Sequence, residues 1–268
     1  MFASCLNAVI EQAERCLVDC SPKLEALFAR SFPGAVVRGV DQAGGDASWV
    51  KALGQIDCQI AAGSLPRVCR NSAGDFPVHN GYLRADPAQV DDWRRQLDMH
   101  PSKLKVGIAW RGGMTSTRRK QRSLELRQLS PILQTREVVF ISLQHDAGAD
   151  EVAEVAARES VTLLHFPAVA ADLDSAASMI SALDLVITVC GSVVHLCGGL
   201  GRPAWVMVPA VAEWRYLESG ASMPWYPSVR MFRQQNAGDW GPVIAEIASQ
   251  LARMAGESAL RDGRDVKT

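Results

Sequence analysis

DLVITVCGSVVHLCGGLGRPAWVMV, residues 184–208, decides the fold. Two continuous apolar runs of strand length, DLVITV (184–189) and PAWVMV (203–208), flank a short helical pattern, SVVHLCGGLG. A buried strand, a turn, a helix and a second buried strand make one unit of a parallel sheet. Cys190-Gly191-Ser192 then follows the first strand, with Ser192 placed to cap the helix. Amides exposed at such a helix start, aided by the helix dipole, suit a phosphate or pyrophosphate, and Gly191 lets a ligand approach the backbone closely. Other readings of the window stay open. Cys190, His195 and Cys197 suggest a metal site, which needs a further ligand pair that the spacing does not supply. Cys190 as a nucleophile needs His195 as its base, five residues along the helix. The plainest alternative is a buried cysteine at a strand end beside a core histidine.

The same rhythm extends outward. KVGIAW (105–110), EVVFISL (137–143) and VTLLHF (161–166) are further apolar runs, separated by the helical patterns LELRQLSPIL, GADEVAEVAARE and DLDSAASMISAL. A parallel sheet covered on both faces is predicted, and such sheets bind ligands beyond the carboxyl ends of their strands. The residues to watch are therefore Arg111-Gly112-Gly113, Gln144-His145, Pro167, Cys190-Gly191-Ser192 and Pro209. VRMFRQ (229–234) reads as a last strand, followed by a closing helix from Trp240 to Met254 and a frayed polar tail. Towards the amino end, residues 2–13 read as a helix, RCLVDC (15–20) and AVVRGV (35–40) as strands, and Pro22 opens a helix between them. A loop-rich stretch leads to an amphipathic helix over 87–97. The predicted boundaries are 1–101, 102–254 and a tail over 255–268.

Composition narrows the function classes. The 268 residues are 48% hydrophobic, ample for two cores, and the formal net charge of −1 excludes a globally basic nucleic-acid binder. No apolar run approaches the roughly 18 residues of a transmembrane helix, and the amino end lacks the features of a secretory signal. Seven cysteines, scattered through apolar segments, fit reduced thiols and a cytoplasmic setting.

Three further segments carry chemistry. WRGGMTSTRRKQRSLEL (110–126) sets Arg111, Arg118, Arg119, Lys120 and Arg122 against one acid, Glu125. A cationic Gly/Ser/Thr loop after a parallel strand can fold over an anion, though a solvated basic loop has the same composition. IAAGSLPR (60–67) could line the far side of a cleft. EWRYLESGASMPWYPS (213–228) offers Trp214, Trp225 and Tyr226 as either a substrate platform or an apolar cap on the sheet.

VGIAWRGG, RRKQRSLELRQLSPIL, VVFISLQ, DLVITVCGSVVHLCGGLGRPAWVMVP and EWRY…MPWYPSVRMFRQ…GDWGPVI follow one another in an order that resembles a known family. It is the glycosyltransferase domain often found behind tetratricopeptide repeats in bacteria. That domain is similar to the ADP-heptose lipopolysaccharide heptosyltransferases, of glycosyltransferase family 9 type, and more distantly to O-GlcNAc transferases. GSLPR and GYLRADPAQVDDWRRQL match its first half, so the resemblance covers roughly residues 1–250.

The resemblance implies an α/β fold of GT-B type, two Rossmann-like domains facing a cleft, with the nucleotide-sugar donor on the carboxyl-terminal domain and the acceptor on the other. Carried over by position, Lys120, Arg122 and Ser123 match the loop on the donor phosphates, together with Arg111. Cys190, Gly191 and Ser192 match the phosphate-holding turn, Gln144 and His195 face the nucleotide, and Gly63, Ser64 and Arg67 face the acceptor. The implied reaction needs no metal and no cofactor, and its acceptor is a glycan or a protein such as flagellin. His79 and Asp75 are the distant candidates for a general base.

Two departures stand out. The heptosyltransferase turn usually reads Asp-Thr where this chain has Cys190-Gly191. Relatives also place a strand and a Gly-rich, Asp-containing loop before the segment that here begins at Met1. The amino-terminal domain is therefore expected to lack its first strand, from a longer reading frame or a truncated relic. Rival readings are a non-catalytic nucleotide-sugar-binding or scaffold protein, and a dinucleotide-dependent oxidoreductase, disfavoured because CGGLG ends a helix rather than following a strand.

Overall fold

The computed structural model describes residues 1–41, 48–100, 103–113 and 118–265. The amino-terminal part runs through α1 (Leu6–Ile10), β1 (Cys16–Cys20), α2 (Glu25–Ser31), β2 (Ala35–Gly39), α3 (Ser48–Lys51), α4 (Pro66–Cys69) and α5 (Pro87–Leu97). β1 and β2 pair in parallel, Cys16 opposite Ala35 and Cys20 opposite Gly39. Residues 2–13 do not form one helix: a 3-10 turn over Phe2–Cys5 precedes the short α1. α5 begins where Asp86 accepts hydrogen bonds from the Ala88 and Gln89 amides and Pro87 takes the first helical position.

The carboxyl-terminal part contains β3 (Leu104–Ala109), α6 (Ser130–Leu133), β4 (Val138–Ser142), α7 (Ala149–Glu159), β5 (Leu163–His165), α8 (Pro167–Ala171), α9 (Leu173–Ser181) and β6 (Leu185–Val189). α10 (Ser192–Gly199), β7 (Ala204–Val208), β8 (Ser222–Met223), β9 (Tyr226–Arg233) and α11 (Gly241–Asp265) complete it. Its sheet has the order β5-β4-β3-β6-β7-β9-β8, parallel throughout except for β8 against β9. The chain builds outward from β3 to β5, then returns to the other side of β3 with β6. The carboxyl ends of β3 and β6 therefore flank a crevice at the switch point of the sheet.

Both faces of this sheet are buried, which is why its strands read as unbroken apolar runs rather than alternating ones. Val106, Ile108, Phe140, Leu185 and Ile187 point to one face, beneath Ile132, Val152 and Ile247. Val139, Ile141, Val186 and Val206 point to the other, where Met179, Ile180, Val194 and Cys197 pack. Leu27 and Leu97 from the amino-terminal part join this second face, whereas Cys5, Leu6, Val18, Phe32, Val37 and Leu65 form a smaller core of their own.

Two expectations need correction. The polar segment after Met254 does not fray at once: α11 runs on to Asp265, because residues 255–265 include good helix formers and no proline. LELRQLSPIL is not one helix. The Gln128 amide donates to the Glu125 carbonyl at 2.9 Å, closing a 3-10 turn over Leu126–Leu129, the Gln128 side chain accepts from the Glu125 amide in return, and α6 starts only at Ser130.

The two parts meet at one end of α10. The amides of Tyr82 and Leu83 both donate to the Gly199 carbonyl, at 2.6 and 2.8 Å. Gly201, at φ +67°, lies so close to the Asn80 carbonyl that no Cβ fits, and Arg30 pairs with Asp174 across the same seam. His79 seals it further: the Gly81 amide donates to Nδ1 at 3.0 Å, which leaves the proton on Nε2 to meet the Trp225 carbonyl at 3.1 Å.

Candidate functional site

The loops after β3, β4, β6 and β7 converge over the crevice. Gly112 touches the Cys190 carbonyl so tightly that a Cβ would collide with it, bringing the β3 loop against the turn after β6. Gln144, 2% exposed at the end of β4, holds the same loop: its Oε1 accepts from the Trp110 and Arg111 amides at 3.0 and 2.8 Å. Its Nε2 donates to Asp146 at 2.6 Å. Ser123 accepts from the Gly112 amide at 3.1 Å. Gln144 and Ser123 thus shape the site through the backbone they hold.

The predicted cations separate into two groups. Arg111 pairs with Glu151 and lies 5.6 Å above the Trp110 ring, while Arg119 pairs with Asp146. Both are tied to the β4 side. Arg122 is 7% exposed and lies directly over Gly113, whose φ of +78° and missing Cβ make room for the guanidinium. It pairs with Glu213 in the loop after β7. Glu213 also pairs with Arg215, which stacks 5.6 Å from the Trp214 ring centre. Lys120 is exposed and makes no ion pair among the described residues. Residues 114–117 of this loop lie outside the described residues.

At the turn after β6, Gly191 is the N-cap of α10 in an extended conformation and Ser192 is the first helical residue. The expectation that Ser192 caps the helix is therefore corrected. No side chain caps α10; with Ser192 already helical and Gly191 lacking a side chain, its first amides are left for an anion.

The cysteines do not take part. The Cys190 thiol faces the core, 3.6 Å from the Met207 carbonyl and hydrogen-bonded to Tyr216. Burial pushes its pKa up to about 12, so it is not a nucleophile at neutral pH. His195 does not serve it: its Nδ1 lies 3.1 Å from the Tyr226 hydroxyl, which also bonds Tyr82. Burial, with the Met1 amino group and Arg215 nearby, pushes His195 down to about 3 and keeps it neutral. Among the described residues, no three His, Cys, Asp or Glu side chains are grouped to hold a metal ion. Gly198 and Gly199 are packing glycines. A Cβ on Gly198 would enter the Tyr226 ring, and one on Gly199 would meet Leu83 at 2.6 Å.

On the amino-terminal side, a Cβ on Gly63 would lie 3.7 Å from the Phe2 ring, and Phe2 makes an edge contact with Trp225 at 6.3 Å. Phe76 and Trp214 also contact Trp225, at 4.9 and 6.3 Å. Ser64 is half-buried and Arg67 exposed. Asp75 is exposed and closes a capping box with Ser72. Sequence reasoning missed Glu213, Arg215 and Arg233 as site builders. The signal for Glu213 and Arg215 was a charged pair inside an aromatic segment that follows a strand; Arg233, the last residue of β9, gave none.

No protein-family model matches the chain. Protein FlbA of Caulobacter vibrioides (strain ATCC 19089 / CIP 103742 / CB 15) is 30% identical over 241 residues. The aligned region is 87% of this chain but 40% of that protein, so the chain spans well under half of this relative. The glycosyl transferase family 9 structure from Veillonella parvula DSM 2008 superposes with a TM-score of 0.63 at 11% identity, covering 97% of this chain and 93% of that one. The ADP-heptose LPS heptosyltransferase II of E. coli superposes at 0.50 and 12% identity, over 98% of this chain and 75% of its own. The fold is GT-B-like. No helix among the described residues is long and apolar enough to cross a membrane.

Proposed function

We propose that this chain is a glycosyltransferase domain that moves a sugar from a nucleotide-sugar donor to a glycan or protein acceptor. The observation that carries the reading is the convergence of the uncapped α10 start, the Gly112-Gly113 loop and the Arg122–Glu213–Arg215 group at the switch point of a GT-B-like sheet. The acceptor oxygen bonds to the anomeric carbon as the bond to the diphosphate breaks, the nucleoside diphosphate leaves, and the proton of the acceptor hydroxyl passes to solvent. Arg122, Lys120 and the α10 amides stabilise the charge on that leaving group, so the reaction as proposed draws on no metal ion and no cofactor. The acceptor, a cell-surface glycan or a flagellin-like protein, approaches from the Gly63–Arg67 side. The domain is of the tetratricopeptide-repeat-associated type and works in the cytoplasm.

One observation favours a binding protein without turnover. Both ring nitrogens of His79 are already hydrogen-bonded, so it is not poised to take the acceptor proton. A thermal-shift screen of UDP-, GDP-, ADP- and dTDP-sugars on the wild type, Lys120→Ala and Arg122→Ala tests the assignment. The expected result is one donor class that stabilises the wild type and loses effect in both variants. Equal stabilisation of all three proteins overturns the loop assignment, and binding without hydrolysis or transfer selects the non-catalytic reading.

A further inference from the structure

We propose that Arg215 completes the anion site begun by Arg122, and that Glu213 holds the place of the ligand's phosphate until the ligand arrives. This rests on the donor-site reading above. A single carboxylate bridges the two guanidiniums, Oε1 to Arg122 and Oε2 to Arg215. The three residues come from loops after β3 and β7, and Arg122 lies against Gly113, next to the Gly112 that contacts Cys190.

The two ends of the bridge differ in freedom. The Arg122 side chain is 8% exposed and confined by Gly113, whereas those of Arg215 and Glu213, on one loop, are 26% and 29% exposed. Arg215 is held by its stacking on Trp214, and the segment behind it is fixed because Arg233 donates to the carbonyls of Tyr216, Leu217, Ser219 and Gly220. The cations are thus preorganised and the anion is the part that can leave.

A buried guanidinium needs a counter-charge at all times. Glu213 supplies it in the free protein. Phosphate and carboxylate both fit the planar guanidinium fork, so a diphosphate can take the same donors while Glu213 turns to water. The exchange gives selectivity. A neutral sugar or nucleoside cannot replace a carboxylate, but a diphosphate brings enough charge to do so. Glu213 is therefore a specificity residue that raises the threshold for entry, and Arg215 is a binding residue.

Calorimetric titration of inorganic pyrophosphate and of UDP, GDP, ADP and dTDP into the wild type, Glu213→Gln, Glu213→Asp and Arg215→Ala tests this. Removing one negative charge beside the site should tighten pyrophosphate and nucleoside diphosphate binding to Glu213→Gln by at least about tenfold. Glu213→Asp, which keeps the charge and the fold but is too short to bridge both arginines, should show a smaller gain. Arg215→Ala should weaken binding by about tenfold. Unchanged or weaker binding in both Glu213 variants overturns the place-holding role, and Glu213→Asp decides alone if Glu213→Gln does not fold. Unchanged binding in Arg215→Ala removes Arg215 from the site. Pyrophosphate binding that follows these expectations without any nucleoside diphosphate binding upholds the inference and overturns the donor-site reading. Absence of all binding in all four proteins overturns both.

Discussion

The side-chain carbonyl of Gln144 accepts two backbone hydrogen bonds at once, from the Trp110 amide at 3.0 Å and the Arg111 amide at 2.8 Å. A residue at the end of β4 thereby sets the path of the loop that leaves β3. Gln144→Ala would leave those amides without their acceptor in a closed environment, at a cost of about 2–3 kcal/mol. Urea unfolding should show that loss. Gln144→Glu should recover part of the loop but not the contact to Asp146, because the donating Nε2 becomes an oxygen beside a carboxylate.

Gly112→Ala should disrupt the site from its floor. The added methyl meets the Cys190 carbonyl, so the β3 loop or the β6 turn must move, costing about 1–3 kcal/mol. Donor-dependent thermal stabilisation should disappear in this variant even where the protein still folds. Gly148→Ala is the matched control, since nothing lies within 4 Å of a Cβ there.

His195 should make stability depend on acid. Its folded pKa of about 3 lies below the ordinary value of 6.5. Below pH about 6.5 the unfolded chain takes up a proton that the folded chain refuses. The stability that neutral His195 contributes is present above that pH and is lost as pH falls towards 3, by about 1.4 kcal/mol per unit. His195→Gln cannot titrate, so its stability should fall less steeply between pH 6.5 and 5 than that of the wild type. Parallel denaturation curves at several pH values decide the matter. Equal slopes would place the charged form of His195 in the folded protein.

Arg233→Lys should unravel the segment after β7 although the charge is kept. The guanidinium reaches four carbonyls between Tyr216 and Gly220, and Leu217 adopts the left-handed φ of +59° within that turn. One ammonium cannot span the same set, and about 2 kcal/mol should be lost. Pyrophosphate affinity should fall with it, since this turn fixes Arg215.

The strands of the larger sheet were legible because burial on both faces leaves continuous apolar runs; DLVITV and PAWVMV became β6 and β7 with a shift of one residue at the start. The amphipathic pattern over 87–97 announced α5 through local chemistry alone. β8 was not legible, since two residues carry no pattern. The same contrast divides the site. The crevice and the turn at Gly191 follow from topology, which sequence order reveals. Glu213 and Arg122 are 91 residues apart, and their pairing depends on how two loops land on the sheet edge. The packing role of Gly198 and Gly199 was not legible, because a glycine's reason lies in its neighbour, here Tyr226 and Leu83, which no local window contains.

α10 begins at the uncapped turn after β6 and ends at the Gly199 carbonyl that receives Tyr82 and Leu83. α10 is eight residues long, so its seven steps put the two ends about 10 Å apart along a hydrogen-bonded rod. Such a rod does not stretch. A shift of the 79–83 segment is passed on as a shift of the amides at Ser192, and a ligand pressing on those amides pushes against the other half of the molecule. The helix is a strut, and the amino-terminal half is the wall it is braced on.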